Sequence, residues 1–306
     1  MSQAGQRIEN DLNQNMHKSV LLHESIEALN IQAGKIFIDG TLGSGGHSAL
    51  VAEKFKNSVT IIGLDRDKDA VKKSEERLRT LDTNIHLFTE SFKNLDDVLG
   101  KLSIGTVDAI LFDLGISTDQ LENSGRGFSF LKDEPLDMRM SGEGIRASDI
   151  LNSWDEPAIE LILRGFGEEK FSRKIAQEIV ERREVKPFKT TFDLVNAVLK
   201  VKPKSWKEKI NPATKTFQAL RITVNEELTT LEIGLEKGFK ILESGGRLVV
   251  ISFHSLEDRI VKNFFRDKVK EQLARQITKK PIVASKQEIE TNPRSRSAKL
   301  RVIEKI

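Results

Sequence analysis

The sequence contains no cysteine, and this absence excludes several kinds of site. Disulfide bonds, thiolate zinc sites, iron–sulfur clusters and cysteine nucleophiles all need a thiol. Long apolar runs are also missing. The first eighteen residues contain none, so they do not resemble a secretory signal, and runs such as residues 248–251 are too short to span a bilayer. We therefore expect a cytoplasmic protein with no membrane segment and no metal site.

Charge is distributed unevenly along the 306 residues, although the net charge is only +3. Residues 181–215 contain ten basic and four acidic side chains, and residues 259–306 contain fourteen basic and five acidic side chains. Two basic segments of this kind indicate a polyanionic partner, and the alternative is that they form solvated helix faces. A hydrophobic content of 38% argues against general disorder, and the chain length suits one large α/β domain or a domain with an insert.

Short apolar runs alternate with helical patterns in the first part of the chain. Strand candidates cover residues 35–39, 59–64, 84–88 and 107–112, and two more cover residues 247–253 and 299–306. Strands that alternate with helices at this spacing predict crossover connections and a parallel sheet. Apolar spacing also predicts long helices over residues 224–242 and 256–276.

The alternation stops between residues 124 and 212, where a Gly- and Asp-rich stretch is followed by helical patterns. We interpret this range as a helical insert that serves as a substrate-recognition domain. The flanking residues, 16–123 and 213–306, then form the two parts of one α/β domain.

A glycine-rich loop, DGTLGSGGHS at residues 39–48, follows the first strand and opens a helix. Glycines permit a tight turn and close approach of the backbone to a ligand, and the N–H groups of a helix start favour an anion. Asp65 ends the next strand, where an acidic side chain can accept hydrogen bonds from ribose hydroxyls. The spacing is neither G-x-G-x-x-G nor a P-loop, which favours an adenosine-containing cofactor without a pyrophosphate, such as S-adenosylmethionine.

Other strand ends offer the remaining contacts of such a cofactor. Asp39 or Asp113 would hold its amino group, and Phe92 would form one wall for its adenine. Each residue has a structural alternative: Asp39 as a helix cap, Phe92 as core, and His47 as a hydrogen-bonding residue at the helix start. Asp113 is our candidate for the catalytic polar group, accepting an N–H either from the cofactor or from the substrate.

Nine segments together resemble one known family. They are DGTLGSGGHS (39–48), LDRD (64–67), ILFDLGIS (110–117), RGFSF (126–130), PLDMRM (135–140), GEEKFSRKIA (167–176), NPATKTFQALRI (211–222), GGRLVVISFHSLEDRIVK (245–262) and NPRSRS (292–297). The family is that of the bacterial small-subunit ribosomal RNA cytosine-N4 methyltransferases (RsmH or MraW). The resemblance extends over nearly the whole chain after residue 17.

The resemblance implies a class I (Rossmann-like) α/β fold with an inserted helical domain, and S-adenosylmethionine as methyl donor. It implies a cytoplasmic enzyme that N4-methylates a cytidine in the decoding region of 16S ribosomal RNA, as RNA or within the small ribosomal subunit. By motif match, the residues that contact the cofactor would be Gly45, Gly46, His47, Asp65, Phe92, Asp113 and Gln120. The oligomeric state is left open, with a homodimer among the alternatives.

The lack of cysteine agrees with methylation at nitrogen. Methylation of a pyrimidine ring carbon usually needs a cysteine nucleophile, and radical methylation needs a cysteine-held cluster. An exocyclic amine needs only alignment with the methyl group and an acceptor for one N–H. Two other functions compete with this one: a nicotinamide-dependent oxidoreductase on the same sheet, and an RNA-binding assembly factor with a degenerate cofactor pocket.

Candidates for contacts with RNA lie in the basic segments and beside two strand ends. Lys200, Lys202, Lys204, Lys207 and Lys209, with Trp206, form one predicted phosphate-binding stretch, and Arg294, Arg296, Lys299 and Arg301 form another. Residues 113–116 (DLGI) lack the prolines and the aromatic residue of a common amino-methyltransferase motif. Stacking on the base would then fall to Phe128, Phe130 or Phe253, with core packing as the alternative. His254 would contact the base or a phosphate, or make a structural hydrogen bond.

Overall fold

The computed structural model describes residues 18–204 and 210–306, which divide into two compact units. The first unit contains the described residues up to Leu114 together with Gly234–Ile306, and the second contains Gly115–Ile233. The chain thus leaves the first unit and returns to it, as a fold with an inserted helical domain requires. The second unit includes the described residues of the predicted insert, 124–212. The three-segment division itself, and the role of the insert in recognition, stay predictions.

The described residues of the first unit form a seven-stranded sheet. Its strands are β1 (Ile36–Asp39), β2 (Thr60–Asp65), β3 (Asn84–Thr89), β4 (Val107–Asp113), β5 (Leu242–Ser252), β6 (Ala274–Gln276) and β7 (Lys299–Lys305). In the order β3-β2-β1-β4-β5-β7-β6, the first five strands are parallel, and β7 is antiparallel to both of its neighbours. The predicted α/β fold with a parallel sheet is confirmed, and each predicted strand has an observed counterpart.

Helices connect the strands and make up most of the second unit. They are α1 (Leu22–Leu29), α2 (Gly46–Phe55), α3 (Lys68–Leu78), α4 (Leu95–Leu102), α5 (Thr118–Asn123), α6 (Ala147–Ser153), α7 (Glu156–Gly165), α8 (Ser172–Arg183), α9 (Thr191–Val201), α10 (Thr214–Asn225), α11 (Glu227–Ile241), α12 (Ser255–Lys270) and α13 (Lys286–Thr291). Helices α5 to α10 belong to the second unit, and α11 crosses the boundary between the units. Across residues 18–204 and 210–306, no helix has the length and apolar character needed to cross a membrane.

Both predicted long helices are present, but their predicted bounds were wrong. The range 224–242 is interrupted at Glu226, whose φ of 50° ends α10, so Val224 belongs to α10 and not to α11. The range 256–276 is also divided, because α12 ends at Lys270, Gln272 has a φ of 59°, and residues 274–276 form the edge strand β6. A left-handed residue stops the helical hydrogen bonding, and the spacing of apolar residues does not reveal such a residue.

Each unit has its own apolar core. In the first unit, side chains from the central strands pack with α1 and α2, and the buried strand residues include Phe37, Ile61, Leu111, Val249 and Ile251. In the second unit, α7, α8 and α9 pack together, and the buried residues include Ile159, Leu163, Ile175, Ile179 and Leu194. Burial of this apolar surface stabilises the elements that carry the candidate site.

Candidate active site

Three carboxylates meet at one edge of the sheet. Asp39, Asp65 and Asp113 are the last residues of β1, β2 and β4, which are neighbours in the sheet and run parallel. Ligands of open α/β sheets bind beyond the carboxyl ends of the strands, which is this edge. The structure brings the three side chains together as the strand ends predict, and it gives each of them different surroundings.

The loop after β1 is shaped by two glycines with positive φ. Gly43 has a φ of 53° and Gly45 a φ of 72°, a region that residues with a Cβ rarely adopt. The Gly43 N–H donates to Asp65 Oδ2 (2.8 Å), and the Ser74 hydroxyl donates to the Gly43 carbonyl (2.8 Å). The loop is therefore held from β2 and α3, and it leads into α2 at Gly46.

The chain that precedes α1 lies against the start of α2. A Cβ on Gly46 would collide with the hydroxyl of Ser19, so this position suits glycine. The N-cap of α2 is Gly45, which has no side chain to accept hydrogen bonds. The start of the helix therefore suits an anionic group of a ligand. Nothing in the local sequence around Ser19 indicates its contact with the start of α2.

The Asp39 carboxylate accepts hydrogen bonds from the glycine-rich loop and from the helix that follows it. Asp39 is 1% exposed, its Oδ2 accepts a hydrogen bond from the Ser48 hydroxyl (2.7 Å), and its Oδ1 accepts one from the Thr41 N–H (3.4 Å). Burial raises the pKa of Asp39 to about 6, against the lowering effect of the bonds from Ser48 and Thr41. Because the Asp39 side chain is almost fully buried and both of its oxygens accept hydrogen bonds from nearby residues, the structural alternative is favoured over a contact with the amino group.

Asp65 supports the glycine-rich loop from the neighbouring strand. Its Oδ2 accepts the Gly43 N–H and its Oδ1 accepts the Asp67 N–H (2.9 Å). Burial raises the pKa of Asp65 to about 6, and the hydrogen bonds from Asp67 and Gly43 oppose this shift. Asp65 is half-buried, whereas Asp39 is almost fully buried, and each carboxylate oxygen can accept two hydrogen bonds. Asp65 therefore retains acceptor positions that ribose hydroxyls can reach.

Asp113 differs from Asp39 and Asp65 because one of its carboxylate oxygens accepts no hydrogen bond from the described residues. Its backbone N–H donates to the Thr41 hydroxyl (2.6 Å), which holds the end of β4 beside the loop. Its Oδ1 is buried and has no hydrogen-bond partner within the described chain. Burial, together with the charges of Asp39 and Glu257, raises the pKa of Asp113 well above its ordinary value. A buried acceptor without a donor is costly, so Asp113 is the carboxylate best suited to an N–H group of a ligand.

His47 is buried beside Asp113. Its Nε2 lies 3.3 Å from the carbonyl oxygen of Val20, and because a carbonyl only accepts, Nε2 carries the proton of this hydrogen bond. Its Nδ1 then faces Asp113 Oδ2 at 3.9 Å. The ring thus has the structural role that the sequence offered as an alternative, and a contact of residue 47 with the cofactor stays a prediction.

Phe92 follows β3 in a short 3₁₀ helix and stacks on Phe112, with the ring centroids 4.6 Å apart. The ring is half-buried. Gly40 and Gly234 leave room for these rings, because a Cβ on Gly40 would meet Phe112 and a Cβ on Gly234 would meet Phe92. Packing therefore holds Phe92 in one place, which suits the adenine wall and the core interpretation equally.

Gly234→Ala is expected to displace Phe92, and Gly238→Ala is the matched control one turn further along α11. A Cβ at residue 234 would lie 2.5 Å from Phe92 Cε2, whereas a Cβ at residue 238 would lie 3.5 Å from Phe112 Cζ, an ordinary contact. Overpacking costs about 1–3 kcal/mol of stability, while alanine in place of glycine within a helix gains up to about 1 kcal/mol. Thermal unfolding should separate the two variants, and equal stability would contradict this packing of Phe92.

Gln120 belongs to the second unit, unlike the other predicted cofactor residues. It is buried and forms a capping box at the start of α5. Its N–H donates to the Ser117 hydroxyl, and its Oε1 accepts the Ser117 N–H, both at 3.1 Å. The described contacts of Gln120 are thus structural, and its contact with the cofactor stays a prediction.

The residues predicted to touch the target base are used in packing and capping. Phe128 is buried in the core of the second unit, Phe130 packs edge-on against another ring there, and Phe253 packs half-buried against the core of the first unit. His254 is the N-cap of α12, where its Nδ1 accepts the Glu257 N–H (3.4 Å) and its Nε2 lies 3.2 Å from the Glu257 carboxylate. These contacts favour the structural alternative for each residue.

The first predicted phosphate-binding stretch is partly occupied by ion pairs. Lys200 pairs with Glu178 (2.7 Å), and Lys202 pairs with the buried carboxylate of Glu169 (3.6 Å). Lys204 is exposed. The remaining members, Lys207 and Lys209 with Trp206, lie outside the described residues. The structure therefore supports a smaller contribution from this stretch than its sequence indicates.

The second predicted stretch is also engaged with the rest of its unit. Lys299 and Arg301 both pair with Asp258, at 2.9 Å and 2.7 Å, and Arg301 is only 6% exposed. Arg294 is half-buried, and Arg296 is exposed. These ion pairs argue against phosphate contacts by Arg301.

The chain is similar along most of its length to known proteins. The model of the MraW methylase family matches residues 14–306. Ribosomal RNA small subunit methyltransferase H of Clostridium botulinum (strain Kyoto / Type A2) is 45% identical in an alignment that is 306 residues long with its gaps. The alignment covers 95% of this chain and 99% of that protein. The protein of the same name from Dictyoglomus thermophilum is 46% identical over 294 residues, covering 95% and 97%.

Solved structures are similar at much lower identity. An rRNA methylase from Streptococcus thermophilus has a TM-score of 0.45 and 14% identity, with 95% of this chain and 99% of that chain covered. A SAM-dependent O-methyltransferase from Thermotoga maritima has a TM-score of 0.43 and 10% identity, with 98% and 71% covered.

Proposed function

Because this chain belongs to the MraW methylase family and uses S-adenosylmethionine as its methyl donor, we propose that it methylates N4 of a cytidine in the decoding region of 16S ribosomal RNA. The predicted family and cofactor are both confirmed. The relatives described above are named for the RNA of the small ribosomal subunit, and we propose the same substrate here, as RNA or within the subunit. A nicotinamide-dependent oxidoreductase does not fit a methylase family.

The proposal depends most on the buried Oδ1 of Asp113, for which the described residues provide no donor. S-adenosylmethionine carries an amino group and a carboxylate on one carbon, a ribose and an adenine. The residues fit this set of groups: the start of α2 suits the carboxylate, Asp65 the ribose, and Asp113 an N–H. Phe92 would form a wall for the adenine.

When bound, S-adenosylmethionine supplies an electrophilic methyl group on a sulfonium. The task of the chain is then to position an amine and to accept one of its hydrogen bonds. Without cysteine, the covalent route to a ring carbon is closed, whereas an amine needs only placement at about 3–3.5 Å from the methyl carbon. In our proposal, Asp113 Oδ1 accepts an N–H at the reacting end.

Labelled S-adenosylmethionine tests the proposal. We expect label to enter small subunits that lack the modification, and to appear in N4-methylcytidine from the decoding region. Subunits that already carry the modification are the control and should take up none. Naked ribosomal RNA, assayed in parallel, identifies the form of the substrate.

Other outcomes of this assay would point elsewhere. Label in another nucleoside would contradict the N4 assignment. No transfer, together with no heat of binding in calorimetry with S-adenosylmethionine, would favour a non-enzymatic assembly factor. A cytoplasmic location and a homodimer stay predictions.

A further inference from the structure

The loop between α7 and α8 is held by two distant segments of the second unit. A Cβ on Gly167 would lie 2.6 Å from the carbonyl oxygen of Lys215, and the Lys215 ammonium donates to the Glu168 carbonyl (2.7 Å). The ion pair between Glu169 and Lys202 ties the same loop to the end of α9. The loop, the end of α9 and the start of α10 therefore meet, although they are far apart in sequence.

This arrangement exposes three cations and an aromatic ring. Lys170, Arg173 and Lys174 are exposed, and none of them pairs with a carboxylate in the part of the chain that the structure describes. Phe171 is 41% exposed, and the Lys202 ammonium lies 6.0 Å from its ring centroid. A large aromatic side chain usually contributes to a core or an interface, so this exposed ring among cations needs an explanation.

Two of the cations lie where they are unfavourable for the fold. Arg173 and Lys174 are in the first turn of α8, which contains no acidic residue. The helix dipole is positive at this end and favours acidic side chains, so both charges are repelled. Positions that break such a local rule tend to be functional. An anionic partner would remove the repulsion, because its charge would complement both the dipole and the side chains.

We propose that Lys170, Phe171, Arg173, Lys174 and Lys215 form an RNA-binding surface, the α8 surface. The inference rests on the proposed function, because it assigns a place on the chain to the RNA substrate. The cations neutralise phosphates while Phe171 stacks on an unpaired base, which is how proteins hold single-stranded RNA. An acidic protein partner would use the charges but would leave the stacking face without a role.

Reversing two charges tests the α8 surface. Arg173→Glu/Lys174→Glu is compared with Lys72→Glu/Lys101→Glu, which changes the net charge equally at exposed positions of the first unit. Binding of an unmodified transcript of the decoding region is followed by fluorescence anisotropy at several salt concentrations. We expect the charge-reversal variant to bind the transcript about tenfold or more weakly. For single-stranded RNA, each phosphate contact contributes about 0.7 to the slope of log affinity against log salt concentration, so the loss of two contacts should make this slope smaller by about 1.4. The control should keep the affinity and slope of the unchanged chain.

Two further variants separate charge from stacking. Phe171→Ala should lower the affinity about tenfold with the salt slope unchanged, because stacking releases no counterions. Arg173→Gln/Lys174→Gln removes the two charges without reversing them, so it should lower the salt slope by the same amount as the charge-reversal variant and lower the affinity less. It serves as the test if the charge-reversal variant does not fold. An unchanged salt slope in both charge variants of residues 173 and 174, or an equal loss of affinity in the control, would overturn the α8 surface.

Calorimetry with S-adenosylmethionine distinguishes this result from failure of the proposed function. Each variant should bind the cofactor as the unchanged chain does, because the predicted contacts apart from Gln120 lie in the first unit. Normal cofactor binding with normal RNA binding would reject the α8 surface alone. If the unchanged chain itself does not bind S-adenosylmethionine, the proposed function is rejected.

Discussion

Replacing Asp113 by asparagine is expected to reduce methyl transfer by about a thousandfold while the fold stays intact. Asparagine keeps the size of the side chain and leaves the backbone hydrogen bond to Thr41 in place, but it removes the charge and part of the acceptor capacity. The Asp113 side chain is half-buried and its pKa is raised, so the fold does not gain stability from its charge, and asparagine should not destabilise it. Single-turnover transfer of labelled methyl to small subunits measures the effect, and thermal unfolding checks the fold.

Asp108→Asn is the matched control, because Asp108 lies on the same strand at its opposite end. It pairs with Lys35 (2.8 Å) and accepts the Ile36 N–H (2.9 Å), so we expect a small loss of stability and normal transfer. We expect Asp113→Asn to weaken the binding of S-adenosylmethionine as well as transfer. Unchanged binding with slow transfer would assign the carboxylate to the target amine instead. Full activity in both Asp113→Asn and Asp113→Ala would remove Asp113 from the site.

The sheet and the grouping of three carboxylates at one of its edges were predictable because their signals are local. Asp39, Asp65 and Asp113 each follow a short apolar run, and parallel strands place such residues at one edge. The helix boundaries were less predictable. Apolar spacing continues through Glu226 and Gln272, where single left-handed residues divide the predicted helices. Spacing reports which face of a helix is buried, and it does not report where the backbone leaves the helical region.

The role of each carboxylate was not predictable from the sequence. Asp39 is almost fully buried and accepts hydrogen bonds from Ser48 and Thr41. The Thr41 hydroxyl accepts the backbone N–H of Asp113, whose Oδ1 has no hydrogen-bond partner among the described residues. Such differences depend on short distances within a folded loop. For the same reason, Asp39 and Asp113 were equal candidates for the amino group before the fold was known.

Charge in the sequence was a poor guide to charged surfaces. The sequence predicts that Lys202 and Arg301 contact phosphate, but both pair with carboxylates. Their partners, Glu169 and Asp258, are more than thirty residues away in sequence. Three of the four cations of the α8 surface, Lys170, Arg173 and Lys174, lie outside both basic segments, in a stretch that also contains Glu168 and Glu169. A net count along the chain cannot separate paired from unpaired side chains, because pairing is set by the fold.

The affinity for S-adenosylmethionine is expected to fall as the pH is lowered through about 6. Burial raises the pKa of Asp39 and of Asp65 to about 6, and that of Asp113 well above its ordinary value. A protonated carboxyl contributes no negative charge to the site, whether or not it contacts the ligand. The positively charged cofactor therefore binds best when these carboxyls are ionised, and it has to displace protons in order to bind. Each displaced proton makes the affinity change about tenfold per pH unit below the pKa of its group.

The stability of the chain without cofactor should depend on pH in the opposite direction. A carboxyl with a higher pKa in the folded than in the unfolded chain holds its proton more tightly when folded. The stability that it contributes is therefore fully present below its unfolded pKa of about 4, and it is lost as the pH rises through about 6. We thus expect the cofactor to raise the temperature of unfolding strongly at pH 7 and only slightly at pH 5.

Calorimetry in two buffers of different ionisation enthalpy counts the protons that binding releases. Measurements between pH 5 and pH 7 keep the amino group of the cofactor protonated, because an ordinary α-amino group has a pKa of about 7.7–8.0. Asp113→Asn should release fewer protons than the unchanged chain, and Asp108→Asn should release as many. Because His47 Nδ1 lies 3.9 Å from Asp113 Oδ2, His47→Gln shows whether the imidazole takes part in the exchange. An affinity that stays constant from pH 5 to pH 7 would contradict the coupling between these carboxylates and the cofactor.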